Sequence, residues 1–214
     1  MGNRAVITTS TGWSDIQNST ELGVYLHWNG GRDSVEAFLT YCKLRGFRPP
    51  ETDCYGWARL CQVIANFFGG DGLSIGIDKC CNLDCDNWDN GVYIIKNWEI
   101  VGREYFEGVE QNAYDLTEML LEIDECQPEQ QRLGEEFITA LVVPTSELKI
   151  GDIVFVNVFD GYRRYKVVGF GEDTMVNGTN VKGMPYVDLY GNIADGYAWN
   201  INNYIRTETA RVAR

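Results

Sequence analysis

The spacing of apolar residues in the first hundred positions switches between the period of strands and that of helices. Apolar and β-branched residues cluster in short segments, and Asn29-Gly30-Gly31 ends the second of these. Apolar positions then recur every three or four residues after Asp33 and again after Asp53, which predicts two helices. The predicted strands are 4–9, 22–28, 73–77, 92–95 and 98–101, and the helical apolar positions are Val35, Phe38, Leu39, Cys42, Trp57, Leu60, Cys61, Ile64 and Phe68.

A third stretch of helical spacing lies in the middle of the chain, with acidic residues between the apolar ones. It predicts an amphipathic helix near 112–126 whose polar face carries carboxylates. Pro128 ends this helix because proline cannot continue the backbone hydrogen bonding, and a shorter helix is predicted over 129–137. The apolar positions of the longer helix are Tyr114, Met119, Leu120 and Ile123.

The last third of the chain has the pattern of an all-β module. Short segments of strand-like composition follow Pro144, separated by turn signals such as Asn177-Gly178. Closely spaced short strands of this kind predict a small SH3-like β-barrel. The predicted fold class is α+β, with a mixed α/β domain over 1–143, the barrel over 144–206 and a basic, fraying tail over 207–214. One continuous α+β unit is the alternative.

The composition indicates a folded protein of the cell interior. Hydrophobic residues make up 44% of the 214 positions, enough for a substantial core. The N-terminus has no apolar signal region, and no apolar run approaches the roughly 20 residues of a membrane span. Met1-Gly2 is followed by Val6 where N-myristoylation requires serine or threonine. The seven cysteines, an odd number without a secretion signal, are expected to be reduced thiols in a cytoplasmic protein.

The negative charge of the chain is concentrated in one segment. Residues 99–136 contain twelve acidic residues and only two cations, Arg103 and Arg132, so this segment carries a net charge of −10 of the chain's −13. A dense negative field attracts cationic partners and repels nucleic acid. Direct nucleic-acid binding is therefore disfavoured, whereas a cationic nucleic-acid-binding protein is a favoured partner.

The predicted acidic helix offers a way to imitate a phosphate backbone. Duplex DNA carries one charge per roughly 1.7 Å of axis, and a helix rises about 1.5 Å per residue. Acidic residues at 115, 118, 122 and 125 lie along one side of such a helix. Binding by such a surface should weaken steeply with salt.

In its acidity, its aromatic content and its lack of a cofactor motif, the chain resembles the anti-CRISPR and anti-restriction inhibitors of phages and mobile elements. That resemblance implies a non-enzymatic inhibitor in a bacterial host cell. It would block the DNA-binding surface of a nuclease effector, with Cas9 as one candidate. No cofactor is expected. The predicted partner-binding residues are Glu107, Glu110, Glu118, Glu122, Asp124, Glu125 and Glu129.

A cysteine hydrolase is the first alternative function. The segment Asp53-Cys54-Tyr55-Gly56 resembles the DCSG-type nucleophile motif of the NlpC/P60 cysteine peptidases, with tyrosine in place of serine. The later Gly151-Asp152-Ile153 is similar to that family's strand after a Gly-Asp pair. The family uses a downstream histidine as base, whereas the single histidine here is the upstream His27. The alternative is therefore a rearranged catalytic pair of Cys54 and His27.

A zinc-stabilised interaction module is the second alternative. Cys80, Cys81 and Cys85 lie in one loop, and thiolates at such spacing are zinc ligands. The paired cysteine sets of structural zinc sites are incomplete here, so reduced, packed thiols are the competing interpretation. The acidic residues of the same loop lack the spacing of a calcium-binding EF-hand.

Overall fold

The computed structural model describes residues 2–9, 16–158, 161–176, 179–191, 200–201 and 209–213. Within these ranges the chain is mixed α+β, with four α-helices and two sheets, which confirms the predicted class. It divides into two compact units, Met1–Leu133 and Gly134–Arg214, so the division falls before the sequence-predicted one at residue 143. No helix in the described ranges has both the length and the apolar character needed to cross a membrane.

The first unit is built on a five-stranded sheet. Its strands are β1 Ala5–Thr8, β2 Leu22–Leu26, β3 Ile75–Lys79, β4 Val92–Lys96 and β5 Glu99–Glu104. The strand order is β3-β2-β1-β4-β5, in which β1 and β4 pair in parallel and the other neighbours are antiparallel. β4 and β5, which correspond to the last two predicted strands, are joined by a tight turn at Asn97 and Trp98, both with positive φ.

Three helices belong to this unit, and all three were predicted from the sequence. They are α1 Arg32–Leu44, α2 Cys54–Phe68 and α3 Leu116–Glu125. α1 packs against both α2 and α3, and its apolar stripe is buried. The buried residues of that stripe include Val35, Phe38, Leu39 and Cys42.

The second unit holds the remaining elements. They are α4 Glu135–Ile138 and the strands β6 Leu141–Pro144, β7 Ile153–Val158, β8 Gly161–Val176, β9 Thr179–Gly191, β10 Asn200–Ile201 and β11 Thr209–Ala213. The sheet order is β10-β9-β8-β7-β11-β6, and the described strands do not close into a barrel. The predicted Asn177-Gly178 turn lies outside the described residues.

Two local predictions differ from the structure. The helix predicted over 129–137 is a short 3-10 turn at Glu129–Gln131 followed by the separate helix α4. The tail expected to fray contains β11, which pairs with both β6 and β7. Ala210 and Val212, on either side of Arg211, are buried in the core of the second unit, and the strand lies between β7 and β6 in the sheet.

Candidate functional site

The N-terminus of α3 is held by its own acidic residues. Asp115 is the N-cap, and its carboxylate accepts hydrogen bonds from the backbone N–H of Thr117 (2.9 Å) and Glu118 (3.0 Å). Glu118 lies in the first turn, where the helix dipole favours a negative charge. Asp115 thus has a structural role at this end of the helix.

The C-terminus of α3 uses the cation that follows it. Arg132 donates hydrogen bonds from Nε to the carbonyl of Gln127 (2.9 Å) and from Nη2 to the carbonyl of Glu125 (2.7 Å). The last turn itself has no basic residue. Arg132 therefore satisfies backbone carbonyls and forms no described ion pair with the helix carboxylates.

The solvent side of α3 carries three glutamates, which we call the acidic face: Glu118, Glu122 and Glu125. All three are exposed, and none lies within 4 Å of a cationic group in the described part of the chain. Their spacing of four and then three residues aligns them along one side over about 10 Å. The opposite side, with Leu120 and Ile123, is buried. The acidic face is therefore uncompensated by the fold.

Asp124, which the sequence assigned to the partner-binding set, belongs to the core instead. It is 5% exposed. Its Oδ1 accepts hydrogen bonds from the Tyr41 hydroxyl (2.6 Å) and from the backbone N–H of Leu133 (2.7 Å). Burial, followed by the hydrogen bond to Asp124, raises the pKa of Tyr41 far above its ordinary value. Asp124 therefore joins α1 to α3 and cannot reach a partner.

Glu110 is a second residue whose predicted role changes. Its carboxylate bridges Arg103 (2.8 Å) and Arg32 (3.3 Å), so its charge is matched within the fold. The Arg103 guanidinium is stacked 3.9 Å from the ring centroid of Tyr93 and 3.8 Å from that of Phe106. Glu110 thus fixes the segment after β5 onto α1.

The other two predicted partner-binding residues remain available at the surface. Glu107 is exposed in the segment that follows β5. Glu129 is exposed in the 3-10 turn beyond α3, four residues after Glu125. Neither forms an ion pair among the described residues. Of the seven predicted partner-binding residues, the three of the acidic face, Glu107 and Glu129 are therefore exposed and form no described ion pair.

The structure gives no support to a catalytic pair of Cys54 and His27. Cys54 is exposed at the first position of α2, after the N-cap Asp53, and the Tyr25 hydroxyl lies 3.1 Å from Nδ1 of His27. His27 follows β2 at the end of the sheet where β4 begins, because Leu26 pairs with Ala5 and Val6 with Val92.

The segment that precedes Cys54 contacts the opposite end of the same sheet. Asn97, just past the far end of β4, donates its backbone N–H to the Glu51 carboxylate, three residues before Cys54. The length of β4 separates these two ends by about 16 Å. The described contacts accordingly include none between Cys54 and His27.

The cysteine loop is packed rather than arranged around a metal. Cys80 and Cys85 are buried in a cluster with Val6, whereas Cys81 is exposed. Burial raises the pKa of Cys80, and raises that of Cys85 to about 12, so both are neutral thiols at physiological pH. Among the described residues, no three histidine, cysteine or acidic side chains form a metal-binding group.

The residue that sequence reasoning missed is Tyr41, the buried partner of Asp124. It lies on the apolar stripe of α1, where a tyrosine indicates a hydrogen-bonding partner across the core. Finding that partner requires knowing that α1 packs on α3, which one sequence does not reveal.

No protein-family model, curated protein or solved structure matches the chain.

Proposed function

We propose that this protein is a non-enzymatic inhibitor that binds a cationic nucleic-acid-binding protein through the acidic face of α3. The observation that carries the proposal is the absence of any cation within 4 Å of Glu118, Glu122 and Glu125 in the described residues. Arg132, the nearest cation in sequence after the helix, is engaged with backbone carbonyls instead. A partner's lysines or arginines would supply the missing charges.

The arrangement has an electrostatic cost that the fold itself does not offset. Like charges four residues apart on a helix repel by a few tenths of a kcal/mol. Glu122 and Glu125 also lie near the C-terminal, negative end of the helix dipole, where cations are preferred. A binding partner that neutralises these carboxylates removes both penalties on association.

The proposed partner is a nuclease effector that handles foreign DNA, such as Cas9 or a restriction enzyme. Such proteins hold nucleic acid in a groove lined by lysine and arginine. The acidic face, with Glu107 and Glu129 beside it in sequence, would occupy that groove and compete with DNA. The setting we propose is the bacterial cytoplasm, as for a phage or mobile-element product. The SH3-like closure of the second unit also remains a proposal.

A cleavage assay with a designed pair of variants tests this function. Wild-type protein is added to guide-loaded Cas9 and, separately, to type II restriction endonucleases, and the cleaved fraction of a labelled duplex is measured. The test variant is Glu118→Gln, Glu122→Gln and Glu125→Gln combined. The control combines Glu21→Gln, Asp86→Asn and Glu147→Gln, which removes three surface charges outside α3.

The two triple variants have the same net charge, so they separate the position of the charges from their number. We expect the wild type and the control to inhibit one of the nucleases, and the α3 variant to lose at least tenfold in potency. Equal potency of both variants would reject the acidic face as the binding surface. A lack of inhibition by the wild type across the panel would reject the nuclease class.

A further inference from the structure

A small pocket in the first unit has a charge opposite to that of the whole chain. Its volume is about 320 Å³, and it is lined by Gly46, Phe47, Arg48, Tyr55 and Arg59. The surrounding stretch, residues 43–59, has four cations and two acids, in a chain whose net charge is −13. One wall comes from the segment after α1 and the other from the first turns of α2.

The first wall is fixed by the way α1 ends. Gly46 adopts φ +69 and donates its N–H to the carbonyl of Lys43 (3.0 Å), while Phe47 donates its N–H to the carbonyl of Cys42 (3.1 Å). These two bonds form a Schellman motif, which needs the left-handed conformation that glycine adopts freely. The indole Nε1 of Trp98 also donates to the carbonyl of Phe47 (2.8 Å). Phe47 is thus held from two sides.

The second wall is fixed by close contact at Gly56. A Cβ at this position would lie 2.5 Å from the Pro50 nitrogen and 2.7 Å from the Arg48 carbonyl oxygen. The start of α2 therefore packs directly on the segment that leaves α1. Tyr55 and Arg59 are four residues apart on α2, so they project from the same side of the helix. The pocket is consequently preformed.

The arginines around the pocket are stacked on its aromatic rings. The guanidinium carbons of Arg45 and Arg59 lie 5.6 Å and 5.4 Å from the Phe47 ring centroid, and that of Arg48 lies 5.8 Å from the Tyr55 centroid. Arg48 pairs with Asp53 (2.6 Å), whereas Arg45 and Arg59 have no carboxylate within 4 Å among the described residues. Arg59, which lines the pocket, donates from Nη1 to Oε1 of Gln62 (2.9 Å), so the charges of Arg59 and of the neighbouring Arg45 are not neutralised by any described carboxylate.

We propose that this pocket binds a mononucleotide. Guanidinium groups bind phosphate through paired charge-assisted hydrogen bonds, and their planes stack on bases. The Tyr55 ring, 63% exposed, offers a further stacking surface for the base. The chain's charge of −13 repels a long polyanion, which favours a single nucleotide over a strand. This inference is independent of the proposed inhibitor function.

Calorimetric titration of the full-length protein with adenosine 5′-monophosphate tests the proposal. Inorganic phosphate, adenosine and a short oligodeoxythymidylate are titrated in parallel. The test variants are Arg59→Gln and Tyr55→Ala, both at exposed positions, and the matched control is Lys79→Gln at the end of β3. We expect the nucleotide to bind more tightly than phosphate or adenosine. Arg59→Gln should weaken it about tenfold or more, and Lys79→Gln should not change it.

Several results would overturn the proposal. Undetectable binding of the nucleotide at millimolar concentration, or unchanged affinity in Arg59→Gln, would show that this pocket is not a nucleotide-binding site. Equal affinity for phosphate and nucleotide would show that Tyr55 does not stack on the base. Tighter binding of the oligonucleotide would indicate a strand-binding surface instead. The α3 triple variant should keep wild-type nucleotide affinity, so failure of one proposal is distinguishable from failure of the other.

Discussion

The Tyr41 hydroxyl donates a 2.6 Å hydrogen bond to Oδ1 of Asp124, with both side chains at most 5% exposed. This contact joins α1 to α3 across the core, and the Leu133 N–H donates to the same carboxylate oxygen. Together with the buried Leu120 and Ile123, it holds α3 in the rotation about its axis that leaves Glu118, Glu122 and Glu125 facing solvent. The acidic face therefore depends on a buried hydrogen bond on the other side of the helix.

Replacing Tyr41 by phenylalanine should destabilise the first unit measurably. The substitution removes the hydroxyl that donates to a buried carboxylate, which costs about 1.5–3 kcal/mol in typical proteins. Urea unfolding followed by circular dichroism measures the change. Tyr25→Phe is the control, because the Tyr25 hydroxyl makes an exposed contact with His27 and its loss should cost less than about 0.5 kcal/mol. Similar stability losses in both variants would contradict this role of Tyr41.

Asp89 should contribute to stability in a pH-dependent way. The side-chain hydrogen bond with Arg4, 2.7 Å from Nε, holds the pKa of Asp89 below its ordinary value. A carboxyl whose folded-state pKa is lowered stabilises the fold above its unfolded pKa of about 3.9 and loses that contribution as pH falls through the folded value.

We therefore expect Asp89→Asn to be less stable than wild type at neutral pH and to approach it at strongly acidic pH. Chemical unfolding at a series of pH values checks this expectation. Asp86→Asn, at an exposed residue of the same loop, is the matched control for the loss of one carboxylate. A constant stability difference between wild type and Asp89→Asn at all pH values would rule out the assigned linkage.

The seven cysteines should differ strongly in their rate of alkylation. Cys54, Cys81 and Cys126 are exposed, whereas Cys42, Cys80 and Cys85 are buried. Burial also raises the pKa of Cys61 to about 11, which suppresses its thiolate. Brief iodoacetamide treatment of the native protein, read by peptide mass spectrometry, should label the three exposed cysteines first. Early labelling of Cys80 or Cys85 would show that the loop is open.

The two ends of α3 should respond oppositely to loss of a glutamate charge. Glu125→Gln should raise stability by about 0.3–1 kcal/mol because it removes a negative charge from the C-terminal end of the helix dipole. Glu118→Gln, in the first turn, should lower stability by a smaller amount, because the lost dipole interaction is partly offset by relief of the repulsion from Glu122. Thermal unfolding at low salt measures both changes. Shifts of the same sign would mean that the dipole does not govern these charges.

The sequence predicts helices α1 to α3 and strands β1 to β5 of the first unit because the spacing of their apolar residues can be recognised without knowing which elements they pack against. The position of Asp124 was misjudged, although it lies four residues after the buried Leu120 and thus on the same side of α3. Because most acidic residues of this segment were expected to face solvent, the position of Asp124 on the buried side of the helix was not recognised. β11 was missed for a similar reason, since the charges of the tail masked the alternation of Ala210 and Val212.

The ion pairs cannot be predicted from the sequence. Glu110 and Glu118 are both acidic residues of one segment, but only Glu110 meets arginines, and those arginines come from α1 and β5. Which carboxylates are neutralised depends on tertiary packing. The subset left unmatched is therefore a result of the structure, even though the excess of acids is evident in the composition.

Parallel affinity columns test whether the acidic face binds a DNA-binding protein. Bacterial lysate containing CRISPR and restriction nucleases is passed over immobilised wild type, the α3 triple variant and the control triple variant. We predict a nuclease that is released by salt and by duplex DNA from the wild-type and control columns and is absent from the α3-variant column. Recovery of the same salt-sensitive proteins from all three columns would show that the acidic face is not the binding surface.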